Sequence, residues 1–595
     1  MPIFDRSSRL RLRRVFRRRR RQVEDISEVA DAHLDKHLFR RLIRLIEVRR
    51  FIFSWLGLVL LLVIGVIIQI RALDAHYKTP QPTSGGNYVE GVIGSFTNAN
   101  PLYATGSVDS AVSRLVFAGL LKYDENSQLV PDLAESWSVD AKATTYTVKL
   151  KPNLTWHDGQ PLTADDVAFT YTLIQNPDAK SYLQTNWRDI KVEKLDDMTV
   201  RFVLPNKFTA FPHSLTNGIV PKHKLEGVAA DQLRSSRFNT VEPIGAGPFR
   251  FDEVQVEGES EKREERVGVT AFEGYNAGQP KIAQFVIKTF KTEEQMIKEY
   301  ENQQINAMVG LAALPDQFST DIATKEYDPK LLGEVMVFFK TSEAPLGDVS
   351  VRRALVLAVN KQKVLSRVPY PLLPIAGPLL SSHVGYSKTL VQASSNKKKA
   401  EDILDKAGWK VSKKTGLRTK NGKPLQFTLI SRTNSEYSAV IQGLQKQWQE
   451  IGVDAQVVLQ QEQELQSSVA QHSYDALLYA ISIGPDPDVF AYWHSSQADP
   501  RSLTRLNFSE YQSAAASEAL EAGRTRATNK VRSVKYRAFL KEWQKDVPAL
   551  ALYQPRFLYI VRSPFYGFEV NSVVSAADRY AKVENWAVRT ENRYQ

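Results

Sequence analysis

Residues 425–459 read LQFTLISRTNSEYSAVIQGLQKQWQEIGVDAQVVL, and their hydrophobic pattern changes twice. Residues 425–431 predict a short strand, residues 435–451 predict a helix, and residues 453–459 predict a second strand. Another helix is predicted just upstream, where Ala400, Ile403, Leu404 and Ala407 share one face. Helices that regularly separate short strands favour parallel sheets with both faces covered. The sequence therefore predicts an α/β fold.

The length and composition indicate more than one folded lobe. The chain has 595 residues, of which 43% are hydrophobic and 24% are charged. A single hydrophobic core stops growing at about 250 to 300 residues, so we expect two lobes. The composition is that of a folded protein rather than a disordered one.

The net charge of +12 is concentrated at the N-terminus. Residues 1–50 contain 16 Lys and Arg against 7 Asp and Glu, which leaves the remaining chain nearly balanced. We therefore expect no nucleic-acid partner for the body of the protein. The chain has no cysteine, which excludes disulfides, thiolate metal sites, a cysteine nucleophile and a lipid attached through cysteine.

Residues 51–70, FIFSWLGLVLLLVIGVIIQI, contain no charge and are long enough to cross a bilayer as a helix. Arginines crowd the preceding side, as in the run at 17–21, so residues 1–50 are predicted to be a cytoplasmic tail that contacts anionic lipid. Residues 71–87, rich in Pro and Gly, are predicted to be a flexible linker to an extracytoplasmic domain. A buried core helix and a cleaved signal peptide remain the alternatives for residues 51–70.

The motifs of common enzymes are not found in the sequence. It has no P-loop, G-x-S-x-G elbow, H-E-x-x-H pair or G-x-G-x-x-G loop, and Asp165 and Asp166 suit a helix start better than acid/base catalysis. We therefore expect no enzymatic activity, no cofactor and no metal. Any ATP-driven process involving this chain must use a separate ATPase.

Several motifs occur in an order that resembles one known family. They are VPDLAESW at 130–137, WHDGQPLTADDV at 156–167, PIGAGPF at 243–249, VRRAL at 351–355, AGW at 407–409, and YDA at 474–476 followed by DPD at 486–488. The most specific match, over residues 100–174, resembles the N-terminal signature of the family 5 extracellular solute-binding proteins. The similarity extends over roughly residues 88–580.

This resemblance implies a two-lobed periplasmic-binding-protein-like fold with an extra subdomain on lobe one, preceded by one transmembrane helix. Lobe one would comprise residues 88–120, 240–335 and 555–595, the extra subdomain 121–239, and lobe two 336–554. Strands near 335–340 and 550–554 would cross between the lobes. The implied function is monomeric capture of peptide-like solutes for an ABC importer with a separate permease and ATPase. Binding of a sugar or metal chelate, or a role as a surface sensor, are the alternatives.

The resemblance also implies candidate ligand-binding residues at two strand ends of lobe two. Dipeptide-binding members of the family have an Asp for the ligand amine where this chain has Ile483, so a strict requirement for a free amino terminus is not expected. Either the ligand termini reach solvent or Asp486 or Asp488 binds the amine. Arg432, with Asn434 beside it, is the candidate for a ligand carboxylate.

Overall fold

The computed structural model describes Ala32 and residues 48–594, except residues 259–263 and 503–504. Contacts divide the chain into two compact units, one of Met1–Gln81 with Glu591–Gln595 and one of Pro82–Thr590. Apart from Ala32 and residues 48–50, the basic tail predicted over residues 1–50 lies outside the described residues.

The α-helices between residues 48 and 594 follow one another along the chain. In order, they are α1 (Arg49–Tyr77), α2 (Ser107–Val116), α3 (Ala164–Gln175), α4 (Gln184–Trp187), α5 (Lys222–Leu225), α6 (Glu293–Glu301), α7 (Val349–Ala358), α8 (Lys361–Leu365), α9 (Lys397–Lys406), α10 (Ser435–Gln449), α11 (Glu462–Gln471), α12 (Phe490–Trp493), α13 (Ala514–Thr525) and α14 (Asn529–Asp546).

Helix α1 contains the predicted membrane span. Its segment Phe51–Ala72 is long and apolar enough to cross a membrane. Side chains along it are exposed, as Phe51 is at 71% and Leu61 at 68%. This exposure argues against a buried core helix, whereas a signal sequence near the N-terminus can also be long and apolar enough.

The flexible linker predicted over residues 71–87 is wrong in most of its length. Helix α1 continues to Tyr77, and β1 (Lys78–Thr83) pairs with β26 (Arg589–Tyr594) in a two-stranded sheet. Prolines are tolerated in β1 because both strands of such a sheet are edge strands. The pairing partner lies about 500 residues away in sequence, so the local pattern gave no sign of it. The segment from Glu591, predicted in lobe one, groups with the first unit.

Lobe one contains a mixed seven-stranded sheet. Its strands, in spatial order, are β13 (Thr324–Tyr327), β24 (Tyr559–Arg562), β12 (Ala307–Val309), β2 (Asn87–Ile93), β11 (Gln284–Phe290), β10 (Glu264–Ala271) and β9 (Phe249–Glu257). Strand β2 is parallel to β11 and β12, and the other pairs are antiparallel. The short strands β14 (Lys330–Leu331) and β25 (Ser572–Val573) pair beside it.

The extra subdomain contains a four-stranded antiparallel sheet. Its strands, in spatial order, are β5 (Ala134–Val139), β6 (Thr145–Leu150), β8 (Thr199–Val203) and β7 (Lys191–Asp196), and β3 (Leu121–Tyr123) pairs separately with β4 (Leu129–Pro131). Helix α3 begins with the predicted capping box, in which Thr163 and Asp166 each bond the other's backbone. Buried side chains of this subdomain and of lobe one form one continuous hydrophobic cluster.

Lobe two contains a six-stranded sheet. Its strands, in spatial order, are β16 (Leu373–Pro374), β23 (Ala549–Gln554), β15 (Gly333–Phe339), β22 (Ala476–Ser482), β20 (Gln426–Arg432) and β21 (Asp454–Gln460). The predicted strand–helix–strand unit is present as β20, α10 and β21, with β20 and β21 parallel. A small sheet of β17 (Lys410–Val411), β18 (Arg418–Lys420) and β19 (Lys423–Pro424) accompanies it.

The sheet of lobe two is mixed, because β15 and β23 run antiparallel to their neighbours. Strand β15 leads from lobe one into lobe two, and β23 leads back towards β24 of lobe one. The two strands pair with each other, as Met336 does with Ala551. The two chain segments that pass between the lobes are therefore hydrogen-bonded to each other.

The second residue of the VRRAL motif has a structural role at the end of the last helix. Arg352, only 5% exposed, donates hydrogen bonds to the carbonyl oxygens of Leu346, Gly347, Asp546 and Val547 at 2.6 to 3.2 Å. These bonds satisfy carbonyls at the C-terminus of α14, where a positive charge is also favourable. Burial lowers the pKa of Arg352 to about 10, so the side chain stays charged at neutral pH.

We expect Arg352→Lys to destabilise the protein by about 2 to 4 kcal/mol, because one ammonium cannot reach all four carbonyls. The neighbouring Arg353 is exposed and bonds only the carbonyl of Lys545 among the described residues, so Arg353→Lys should change stability by less than about 0.5 kcal/mol. Urea unfolding of both variants, followed by tryptophan fluorescence, measures the difference. Equal stability of the two variants would contradict this role for Arg352.

Candidate functional site

The end of strand β22 lies at the junction of the two lobes. The backbone N–H groups of Ile483 and Gly484 both donate to the carbonyl of Leu332, which precedes β15, at 3.1 and 3.2 Å. A Cβ atom built on Gly484 would lie 3.8 Å from Val574, in the C-terminal part of lobe one. His383 donates from Nε2 to the Gly484 carbonyl at 2.8 Å, and burial lowers its pKa, so it is neutral. We call the paired crossing strands β15 and β23, together with Leu332, the hinge. The loop after β22 is thus held against the hinge.

Asp486 and Asp488, the predicted alternatives for binding a ligand amine, each have a guanidinium partner. Arg532 lies 2.6 Å from the Asp486 carboxylate, and Arg524 lies 3.0 Å from that of Asp488. Both arginines come from the helices of lobe two, α14 and α13. Neither aspartate is therefore a free carboxylate, and the DPD motif holds this loop to the two helices.

The other predicted residues lie at the ends of β20 and β22. Arg432 is 48% exposed, with its Nη1 3.5 Å from Glu462 and its guanidinium over the ring of Tyr437. The Asn434 side chain accepts a 2.6 Å hydrogen bond from the Tyr437 backbone, so it is the N-cap of α10. Ile483 is partly buried against the hydrophobic cluster of lobe two. Of the predicted residues, Arg432 has the most accessible polar group.

A cavity of about 340 Å³ lies on the lobe-one side, where lobe one meets the extra subdomain. None of its lining residues was predicted as a site residue from sequence. They are Pro101, Ala104, Thr105, Ser110, Ser113, Arg114, Phe117, Gly119, Tyr182, Thr216, Asn217, Gly218, Ser575 and Ala577. Helix α2 supplies the charged member, Arg114, whose Nη2 lies 2.7 Å from Asp578.

Tyr123 connects this cavity with the loop of lobe two. It lines a smaller pocket that shares Arg114 and Phe117 with the cavity. Burial raises the pKa of Tyr123, the carboxylates of Asp578 and Asp486 raise it further, and Arg114 lowers it. Asp486, in the loop after β22, and Arg114, in the cavity, therefore both lie near Tyr123.

A direct contact joins lobe two to the extra subdomain, and we call it the Arg524 latch. The guanidinium carbon of Arg524 lies 4.9 Å from the ring centre of Phe208 in the subdomain and 4.1 Å from that of Phe490 in lobe two. Thr209 adds two hydrogen bonds, from its N–H to the Arg524 carbonyl at 3.1 Å and from its hydroxyl to the Arg526 carbonyl at 3.0 Å. Asp488 completes the latch through its ion pair with Arg524.

One buried acid near the hinge was missed from sequence. Glu334, on the crossing strand β15, is 0% exposed, and within the described part of the chain neither of its carboxyl oxygens has a hydrogen-bond partner. An acidic residue inside the apolar run GEVMVFF was the available signal. No group of three or more metal-binding side chains converges among the residues that the structure describes.

The chain matches a family model and known proteins over most of its length. Residues 128–502 match the middle region of the bacterial extracellular solute-binding proteins, family 5. The oligopeptide-binding protein AppA of Bacillus subtilis (strain 168) is 28% identical over 498 residues, which cover 81% of this chain and 88% of AppA.

Two solved structures show the same fold. NikZ from Campylobacter jejuni, in complex with Ni(L-His), superposes with a TM-score of 0.71 at 27% identity and covers 84% of this chain and 99% of its own. AppA from Bacillus subtilis, in complex with a nonapeptide, superposes with a TM-score of 0.70 at 26% identity and covers 85% of this chain and 100% of its own. Because the family model spans more than half of the sequence, this chain belongs to the bacterial extracellular solute-binding proteins of family 5.

Proposed function

We propose that this chain captures peptides between lobes one and two and presents them to an ABC importer whose permease and ATPase are separate polypeptides. The 340 Å³ cavity between lobe one and the extra subdomain carries this proposal. Its volume falls within the range of about 300 to 1,000 Å³ typical of small-molecule sites. The two crossing strands provide the connection about which the lobes would close on a ligand.

The chemistry of the cavity suits a peptide backbone. Hydroxyls of Thr105, Ser110 and Ser113 and the amide of Asn217 can pair with peptide N–H and C=O groups, directly or through water. Arg432, half exposed at the end of β20, is our candidate for a ligand carboxylate. AppA, with its bound nonapeptide, also favours a peptide. A metal chelate, as bound by NikZ, a sugar, and a sensory role without transport are the alternatives.

We also propose that α1 holds the protein at the membrane as a single span, with the basic tail on the cytoplasmic side against anionic lipid. The domain from residue 82 would then work outside the cytoplasm as a monomer, without enzymatic activity and without nucleic acid.

A peptide that binds should stabilise the full-length protein in lipid nanodiscs. At a concentration about 100 times its dissociation constant, it should add about 2.7 kcal/mol to the free energy of unfolding. Because the chain has no cysteine, Asp178→Cys and Ala538→Cys provide two unique spin-label sites, in the extra subdomain and in lobe two. Electron-spin distance measurements should show a shorter, narrower distance distribution with a peptide from a mixed-length library.

The same measurements separate the alternatives. A nickel–histidine chelate and a set of oligosaccharides serve as the comparison ligands. Stabilisation and closure by one of these, with no response to any peptide, would contradict peptide capture.

Weakening the Arg524 latch should weaken ligand binding without unfolding the protein. We expect Phe208→Ala to remove about 1 kcal/mol from the closed state, because it removes one aromatic face from the guanidinium. The affinity for a library peptide should then fall about fivefold. Leu195→Ala removes an exposed apolar side chain from the same subdomain and should leave the affinity unchanged. Equal affinities of the two variants in calorimetric titrations would show that the latch does not contribute to closure.

The proposed orientation predicts the protease sensitivity of spheroplasts. Added protease should digest the domain beyond residue 82 and spare an epitope tag fused at Met1, as judged by immunoblotting. A periplasmic fragment that has lost the tag, with no membrane-bound form, would instead indicate a cleaved signal sequence.

A further inference from the structure

Glu334 occupies an energetically unfavourable position in strand β15. The rest of strand β15 is Gly or apolar, and every residue of the strand is buried. An ionised carboxylate without a partner in such surroundings costs several kcal/mol. Burial accordingly raises the pKa of Glu334 well above its usual range. A Met or Leu would serve the strand better, so packing alone does not account for a glutamate here.

The face of β15 that carries Glu334 also carries Met336 and Phe338, because alternate residues of a strand share a face. Met336 and Phe338 belong to the hydrophobic cluster of lobe two that includes Ile481. Ile481 is the direct cross-strand partner of Glu334 on β22. The carboxyl group therefore lies beside the end of β22, one strand away from the loop that enters the junction of the lobes.

Two tyrosines border this position. Tyr479 precedes Ile481 by two residues on the same face of β22, and the Tyr492 hydroxyl donates to the carbonyl of Ser482 at 2.8 Å. Burial raises the pKa of Tyr492 to about 12, and the charges of Tyr479 and Glu334 raise it as well, so the three groups are close together. Tyr479 and Tyr492 are partly exposed and Ser482 is exposed. These three residues therefore form a partly exposed polar border beside Glu334.

A carboxylate beside aromatic rings is a favourable environment for an ammonium or guanidinium group. The other carboxylates of the hinge loop, Asp486 and Asp488, are already paired with Arg532 and Arg524. Glu334, by contrast, has neither an ion-pair partner nor a hydrogen-bond partner among the described residues. A ligand can supply that partner.

We infer that Glu334 binds a cationic group of the captured solute, either an N-terminal ammonium or a Lys or Arg side chain, at the border formed by Tyr479, Ser482 and Tyr492. This inference rests on the proposed peptide capture and assigns a specificity to it. The cation stabilises the ionised form of this buried acid, whose proton passes to solvent, and peptides that carry a positive charge at this point are therefore favoured.

The test compares Glu334→Gln with the unaltered full-length protein in nanodiscs. Glutamine keeps the shape of the side chain and removes its charge. The probes are nona-alanine, N-acetyl-nona-alanine and N-acetyl-nona-alanine with one central lysine. Glu343→Gln is the matched control, because Glu343 is 61% exposed and lies nine residues further along the chain. Glu334→Met is a second variant, which should fold at least as stably because it removes the unpaired polar group.

If the N-terminal ammonium is the partner, Glu334→Gln and Glu334→Met should bind nona-alanine about 30-fold or more weakly, and the acetylated peptide as the unaltered protein does. If a side chain is the partner, the loss should appear with the lysine peptide instead. Glu343→Gln should cause neither loss. Unchanged binding of all three probes by both Glu334 variants would overturn the inference and leave peptide capture intact. Failure of the unaltered protein to bind any of them would overturn both for these peptides.

Discussion

The antiparallel pairing of β15 with β23 is the constraint on which the rest of the structure depends. The chain enters lobe two along one of these strands and leaves along the other, so both connections between the lobes lie side by side in one sheet. The pairing limits how the lobes can move, since hydrogen-bonded strands must move together. It also brings Leu332, which precedes β15, to the loop after β22, whose N–H groups at Ile483 and Gly484 share its carbonyl.

Several charged side chains therefore lie near the hinge. Their pairing with one another determines which of them is left unpaired and able to bind a ligand. Asp486 and Asp488 hold α14 and α13 through Arg532 and Arg524, and Arg524 also reaches the extra subdomain. The DPD motif near the lobe junction suggests that its aspartates bind a ligand amine, but in the structure each of the two carboxylates is already paired with an arginine. Separating either aspartate from its arginine would leave an unpaired charge in a largely buried region, which is costly.

Local patterns predicted the parts of this fold that depend on neighbouring residues. The β20–α10–β21 unit and the capping box of α3 follow from hydrophobic spacing and from side chains three residues apart. The direction of β15 and β23 and the pairing of β1 with β26 join distant segments, which no local pattern records. The ion pairs of the two aspartates similarly reach 36 and 46 residues along the chain. Asn434 was predictable as an N-cap, since it directly precedes a helix.

Under the proposed function, the latch and the unpaired acid would have opposite effects on lobe closure, and together they would make closure depend on the ligand. A complete shift between two states requires a difference of about 5.5 kcal/mol, and a protein that supplies all of it by internal contacts closes without a ligand. The contacts of Arg524 with Phe208 and Thr209 supply part of that free energy. Glu334 reduces the free energy available for closure of the empty protein, because its buried carboxyl group has no partner until a cation reaches it. A positively charged peptide would thus contribute the free energy that the empty protein lacks.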